Sequence, residues 1–145
     1  MITMMKGEAG YRFIKSASQA EANGIITIYR AQGWWGRGGR AELNRLIRGS
    51  HCFAVAERDG RIIGIGRAIS DGCCDAYLQD IAVLEGHRGS GAGRGLVREL
   101  CRRLRRDGVN WIALIAQDGS EPFYSGLGFR TLRNAKPMLV KGAKV

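Results

Sequence analysis

The chain has 145 residues, 45% of them apolar and 25% charged, a composition that supports one buried core and excludes wholesale disorder. Its 23 Lys+Arg against 13 Asp+Glu leave a net charge of +10, which suits either a nucleic-acid surface or an enzyme that handles anionic ligands. No apolar run approaches the ~18 residues of a membrane span, and Met1 to Gly10 lacks the apolar stretch of a secretory signal. The expectation is therefore a single domain over residues 1–145, in the cytoplasm and away from membranes. The four cysteines, Cys52, Cys73, Cys74 and Cys101, form no CxxC pair, so reduced thiols and no metal site are expected.

Taken in chain order, Tyr11 to Lys15 reads as a short strand. From Gln19 to Ala31 the apolar positions Ala22, Ile25, Ile26 and Tyr29 recur at helical spacing and predict an amphipathic helix. A Gly/Trp segment with Trp34 and Trp35 follows, then a second helix from about Arg40 to Ile47. Cys52 to Glu57 and Arg61 to Ile69 are apolar runs joined through Asp59-Gly60, a pair that supplies the positive φ angles of a hairpin turn. A strand from Ala76 to Leu84 leads through a glycine-rich loop into a helix from about Gly91 to Arg106. Trp111 to Ala116 is wholly apolar and predicts a central strand buried on both faces. A brief helix after Pro122 and strands near Phe129 to Leu132 and Met138 to Val140 complete the reading, an α/β order with an antiparallel meander feeding one βαβ unit.

The segment richest in chemistry is His87-Arg88-Gly89-Ser90-Gly91-Ala92-Gly93-Arg94-Gly95, between a strand and a helix. Small residues there let backbone N–H groups approach a ligand, and the helix adds its positive N-terminal dipole, which together suit phosphate. A flexible connector is the bland alternative, but alternating glycines carry an entropic cost that such a connector does not need. The dinucleotide pattern G-x-G-x-x-G fails, since Gly89/Gly91 would need glycine at Arg94 and Gly91/Gly93 at Leu96. A Walker loop fails for want of Gly-Lys-Ser/Thr.

What matches is Arg-x-x-Gly-x-Gly at Arg88 to Gly93, following Leu78-Gln79-Asp80-Ile81-Ala82-Val83. Downstream stands Glu121-Pro122-Phe123-Tyr124-Ser125-Gly126-Leu127-Gly128-Phe129. In that order the two segments resemble the GNAT superfamily of acetyl-CoA-dependent N-acetyltransferases. The resemblance implies a mixed, mostly antiparallel, splayed sheet of about six or seven strands with about four flanking helices. It also implies that acetyl-CoA is the cosubstrate, with its pyrophosphate held by Arg88, Gly89, Ser90, Gly91, Ala92, Gly93 and Arg94. Ile81, Ala82 and Val83 would align the pantetheine arm, with a backbone N–H near Val83 facing the thioester oxygen, and splaying from the Trp111 strand would admit the arm. Tyr124 matches the tyrosine near the thioester sulfur and would serve as general acid; a core tyrosine between Phe123 and Phe129 is the alternative.

Other site residues follow from the residues themselves. Strict alternation puts Tyr77, Gln79, Ile81 and Val83 on one strand face and Leu78, Asp80 and Ala82 on the other. Asp80 is the only carboxylate inside that run, either a base (or anchor for an ammonium) if a bulge turns it toward the acceptor, or simply the partner of an arginine. Trp34 and Trp35, with Tyr77 and Gln79, are candidates for binding a small-molecule or peptide amine; loop anchoring is the alternative for the tryptophans. Arginines on the polar face of the Gly91–Arg106 helix read first as a solvated face, and no groove-entering motif accompanies them. A basic nucleic-acid-binding module, or a CoA-binding protein without catalysis, is the rival reading. The resemblance leaves a homodimer open.

Overall fold

The computed structural model describes residues 7–143, which fall into two compact units divided between Ala113 and Leu114. Residues 1–6 and 144–145, which belong to the expected 1–145 domain and include much of the segment read for a signal, lie outside the described residues. Among the described residues no helix is long and apolar enough to cross a membrane.

The first unit runs β1 (Gly10–Phe13), α1 (Gln19–Ala31), α2 (Arg40–Gly49), β2 (Cys52–Arg58), β3 (Arg61–Ser70), β4 (Asp75–Val83), α3 (Ala92–Arg106) and β5 (Trp111–Ala113). The start of α1 is set locally: the Ser18 hydroxyl accepts from the Glu21 N–H at 3.2 Å, and the Glu21 carboxylate accepts from the Ser18 N–H at 2.8 Å. This capping box satisfies two donors that a helix end would otherwise leave open. The β2–β3 turn also follows its sequence, with Asp59 at φ +52° and Gly60 at +73°.

The strands form one five-stranded sheet in the order β1-β2-β3-β4-β5, antiparallel except for the β4–β5 pair. Helices α1 and α2 cover one face, where Ile25, Tyr29, Leu43 and Ile47 pack on Phe53, Val55, Ile62, Ile65 and Ala82. Helix α3 covers the other with Leu96, Leu100 and Leu104, all fully buried, each removing apolar surface worth about 1.5–3 kcal/mol. Glycine in β3 permits this close approach: a Cβ at Gly66 would stand 2.7 Å from Ile81 Cδ1 and 3.0 Å from Leu100 Cδ1.

A polar knot ties the end of α3 to the start of β2. Asp107 Oδ2 lies 2.9 Å from His51 Nε2 and accepts from Arg103 Nε at 2.9 Å. The His51 hydrogen bond first, then Arg103, holds the Asp107 carboxyl below its usual range. A depressed carboxylate contributes stability that is present above the ordinary aspartate value of 3.8 and lost as pH falls below it. Asp107→Asn should therefore lower Tm at neutral pH, and the gap to the parent should close on acidification through that value. A gap that stays constant in a Tm-versus-pH series would show that the charge contributes nothing.

Three expectations are corrected. Among the described residues the sheet has five strands, slightly fewer than the six or seven expected. The segments 129–132 and 138–140 are not strands: Leu132, Met138, Leu139 and Val140 are exposed, and a short apolar run without a partner ladder has nothing to hold it extended. β5 ends at Ala113 and is the last strand in the sheet order, with Trp111 44% exposed, so it is not a central strand buried on both faces.

Candidate active site

Strand β4 departs from regular alternation at one residue. Ile65 pairs with Ala82 but Arg67 pairs with Gln79, so β4 spends one residue more than β3 over this stretch. Asp80 sits there with φ +58°, a left-handed conformation that aspartate tolerates better than most side chains. The bulge corrects the strict alternation read from the sequence. Gln79, opposite Arg67, and Asp80 now both stand on the α1 side, with Ala82 after them, while Ile81 turns to α3 and meets the space beside Gly66.

Asp80 is thereby brought to Tyr29 and Arg67. Its Oδ2 accepts from the Tyr29 hydroxyl at 2.8 Å and from Arg67 Nε at 2.5 Å, and Arg67 Nη1 reaches the Ser50 hydroxyl at 3.4 Å. The side chains of Arg67 and Asp80 are 17% and 19% exposed. Burial, then the neighbouring Asp80 charge, pushes the Tyr29 hydroxyl far above the usual tyrosine range, so it stays a donor. The arginine pairing foreseen for Asp80 is thus present, while Oδ1 has no hydrogen-bond partner among the described residues.

Beyond Tyr77 the far edge of β4 has no ladder partner among the described residues. Its ladder to β5 covers only Asp75↔Trp111, Ala76↔Ile112 and Tyr77↔Ala113, and β4 then runs on to Val83. The Leu84 N–H donates to Ile63 O at 2.8 Å, so alternation sends the Val83 and Ile81 N–H groups to the edge away from β3. On that edge Val83 O accepts from Arg88 Nε at 3.2 Å.

Beyond one 3-10 turn (Glu85–His87) the chain enters the glycine loop. Gly89 and Gly91 have φ +73° and +87°, and Gly91 is the N-cap of the 15-residue α3 without any side-chain cap. Among the described residues, the N–H groups of Gly89, Ser90, Gly91, Ala92, Gly93 and Arg94 meet no protein acceptor; Gly95 is the first to bond, to Gly91 O at 2.9 Å. Successive free N–H groups at the positive end of a helix make an anion-binding concavity. Behind it stands Tyr11, whose hydroxyl donates to Gly91 O at 3.4 Å and whose ring fills the place a Cβ at Gly95 would take.

On the α1 side the two tryptophans differ in exposure and contacts. Trp35 packs on the core, lies 5.3 Å from the Tyr29 ring and donates from Nε1 to Gly38 O at 3.2 Å, which anchors the loop. Trp34 is 46% exposed and approaches Tyr29 edge-on at 6.5 Å. Tyr77 is exposed and lies edge-on to Trp111 at 5.5 Å. A separate cavity of about 260 Å³ is lined by Asn23, Gly24, Thr27, Arg61, Ile62 and Leu84.

In the second unit, α4 (Glu121–Ser125) carries Tyr124. Its ring lies edge-on to Phe123 at 4.9 Å and to Phe129 at 5.8 Å, and its carbonyl accepts from the Leu127 and Phe129 N–H groups. Burial raises the Tyr124 hydroxyl above the usual tyrosine value, which keeps its proton in place at neutral pH.

Tyr29 and Arg67, which hold Asp80, were not singled out from the sequence. The signal was present: an arginine inside an apolar strand run requires an acceptor, and a tyrosine on a buried helix face needs a place for its hydroxyl.

The chain is 36% identical over 96 residues to histone acetyltransferase TAP1 of Glycine max, covering 66% of this chain but 39% of that protein. It thus spans well under half the length of that curated relative. Two crystal structures share the fold. Glucosamine-6-phosphate N-acetyltransferase from Arabidopsis thaliana has a TM-score of 0.76 at 17% identity, over 94% of this chain and all of that one (100%). A predicted acetyltransferase with acetyl-CoA from Clostridium acetobutylicum has a TM-score of 0.68 at 18% identity, over 90% and 96%. Residues 25–129 match the model of the acetyltransferase (GNAT) family, and the chain belongs to that family.

Proposed function

We propose that the chain, acting as one domain over 1–145, transfers the acetyl group of acetyl-CoA to a primary amine by direct attack on the thioester. The observation that carries this reading is the run of acceptor-free N–H groups from Gly89 to Arg94 at the head of α3, which suits a pyrophosphate. Ile81, Ala82 and Val83 on the β4 edge beyond Tyr77 align the pantetheine arm, and an N–H near Val83 receives the developing oxyanion. A preorganised donor of that kind is worth about 3–4 kcal/mol in the transition state.

The acceptor must arrive neutral, and an alkylamine of pKa ~10.4 is only about one part in 2,500 neutral at pH 7, a deficit of about 4.6 kcal/mol. Asp80, with Oδ1 left over from its Tyr29 and Arg67 contacts, is the base or the anchor for the incoming ammonium. Trp34, Trp35, Tyr77 and Gln79 supply the acceptor surface; the exposed indole of Trp34 offers a π face to a cation. Tyr124 protonates the departing thiolate. A thiol of pKa ~8.5 leaves readily, so the tyrosine need only deliver one proton. The unbridged thiols Cys52, Cys73, Cys74 and Cys101 fit a reducing, cytoplasmic setting.

Calorimetry with acetyl-CoA tests the first step, and an amine panel followed by free CoA release tests the second. Absence of binding at high micromolar acetyl-CoA removes the enzyme reading. Tyr124→Phe should lower kcat about 10²-fold, the low end for loss of a general acid, with acetyl-CoA affinity nearly unchanged. Equal loss of both would assign Tyr124 to packing.

A further inference from the structure

The turn between β3 and β4 carries two adjacent exposed thiols that no step above uses. Cys74 Sγ donates to Cys73 Sγ at 3.5 Å. Their backbone is pinned from beneath: Asp71 Oδ1 accepts from the Cys73 and Cys74 N–H groups at 2.8 and 2.9 Å. The Ser70 hydroxyl accepts from the Gly72 N–H at 2.9 Å and donates to Asp75 O at 2.6 Å. The two sulfurs are therefore presented together on one ordered turn.

The separation indicates what such a pair can hold. A disulfide needs sulfurs about 2.05 Å apart on Cα atoms usually more than ~4.4 Å apart, whereas adjacent Cα atoms stand only ~3.8 Å apart. One bridging atom with bonds to sulfur of about 2.3 Å spans roughly 3.3–3.8 Å between a right angle and a tetrahedral one, which brackets 3.5 Å. A structural zinc ion would want four donors, and the described residues contain no cluster of three or more His, Cys, Asp or Glu arranged for a metal. The centre that fits is soft and satisfied by two thiolates.

We propose that Cys73 and Cys74 form a dithiol binding site for monosubstituted trivalent arsenicals. The arsenyl oxygen takes both thiol protons and leaves as water, two arsenic–sulfur bonds replace the two S–H bonds, and arsenic stays trivalent. The other two thiols are poor competitors. Cys52 is buried and Cys101 half-buried, whereas Cys73 and Cys74 are both exposed to the reagent.

The test treats the full chain with phenylarsine oxide in excess mercaptoethanol, then reads intact mass and the thiols still open to alkylation. The expected result is one adduct per chain, with Cys73 and Cys74 protected, released by dimercaptopropanol but not by the monothiol. Cys73→Ser and Cys74→Ser should each abolish the monothiol-resistant adduct, while Cys101→Ser keeps it. An adduct that survives in the Cys73→Ser or Cys74→Ser protein, or a parent that forms none in mercaptoethanol, overturns the assignment.

Discussion

Replacing Gly91 with valine should weaken acetyl-CoA binding roughly five- to a hundredfold while leaving the fold intact. Gly91 has φ +87°, and a β-branched residue held in that region costs about 1–3 kcal/mol. A Cβ there meets nothing within 4 Å, so the penalty is purely conformational. The loop would relax out of the left-handed geometry and scatter the N–H groups from Gly89 to Arg94 that have no protein acceptor. Gly89→Val, at φ +73°, should act in the same direction. Gly86→Ala is the control, because Gly86 lies outside the left-handed region and has open space around it. Titration calorimetry of the three variants reads the effect; parental affinity in Gly91→Val would show that the loop backbone does not hold the pyrophosphate.

Asp80→Ala should destabilise the protein by roughly 2–4 kcal/mol. Removing one partner of a buried ion pair typically costs 3–5 kcal/mol, and the figure is reduced here because Asp80 and Arg67 keep 19% and 17% exposure. The variant also leaves the Tyr29 hydroxyl without its acceptor in a residue only 2% exposed. Asp80→Asn keeps an acceptor and should lose less. In a double-mutant cycle of Asp80→Ala with Arg67→Ala, a coupling of about 1–3 kcal/mol is expected; additive losses would mean that the 2.5 Å contact carries no net energy. The same variants test chemistry. If Asp80 is the base, Asp80→Asn flattens the acidic limb of the pH–rate profile, and an unchanged profile assigns Asp80 to positioning alone.

These two sites differ in how far they could be read before folding. The glycine loop was legible because its chemistry belongs to the main chain and its neighbours in sequence. A strand, small residues that allow positive φ, and a helix start are all local, and the family's motif order placed them together. The Asp59-Gly60 turn was legible for the same reason, since it closes within four residues; the Ser18/Glu21 cap is as local but was found only in the structure.

Asp80 was legible as a candidate but not in its orientation. Alternation along β4 alone turns it away from Gln79, and the extra residue that turns it back exists only relative to β3, opposite Gly66. Its partners Tyr29 and Arg67 lie 51 and 13 residues away, so no local pattern joins the three. The C-terminal apolar runs failed as strands for the converse reason. Local propensity can make a segment ready to extend, but only a partner ladder makes it a strand, and residues 129–132 and 138–140 form none. By itself, then, the sequence determined most elements of the first unit, the β2–β3 turn and the place of the glycine-rich loop at the head of α3, because those energies are settled between near neighbours. Tertiary structure decided where the sheet ends and which way its one inner carboxylate of β4 points, because register and ion pairing are set between residues that meet only once the chain has folded.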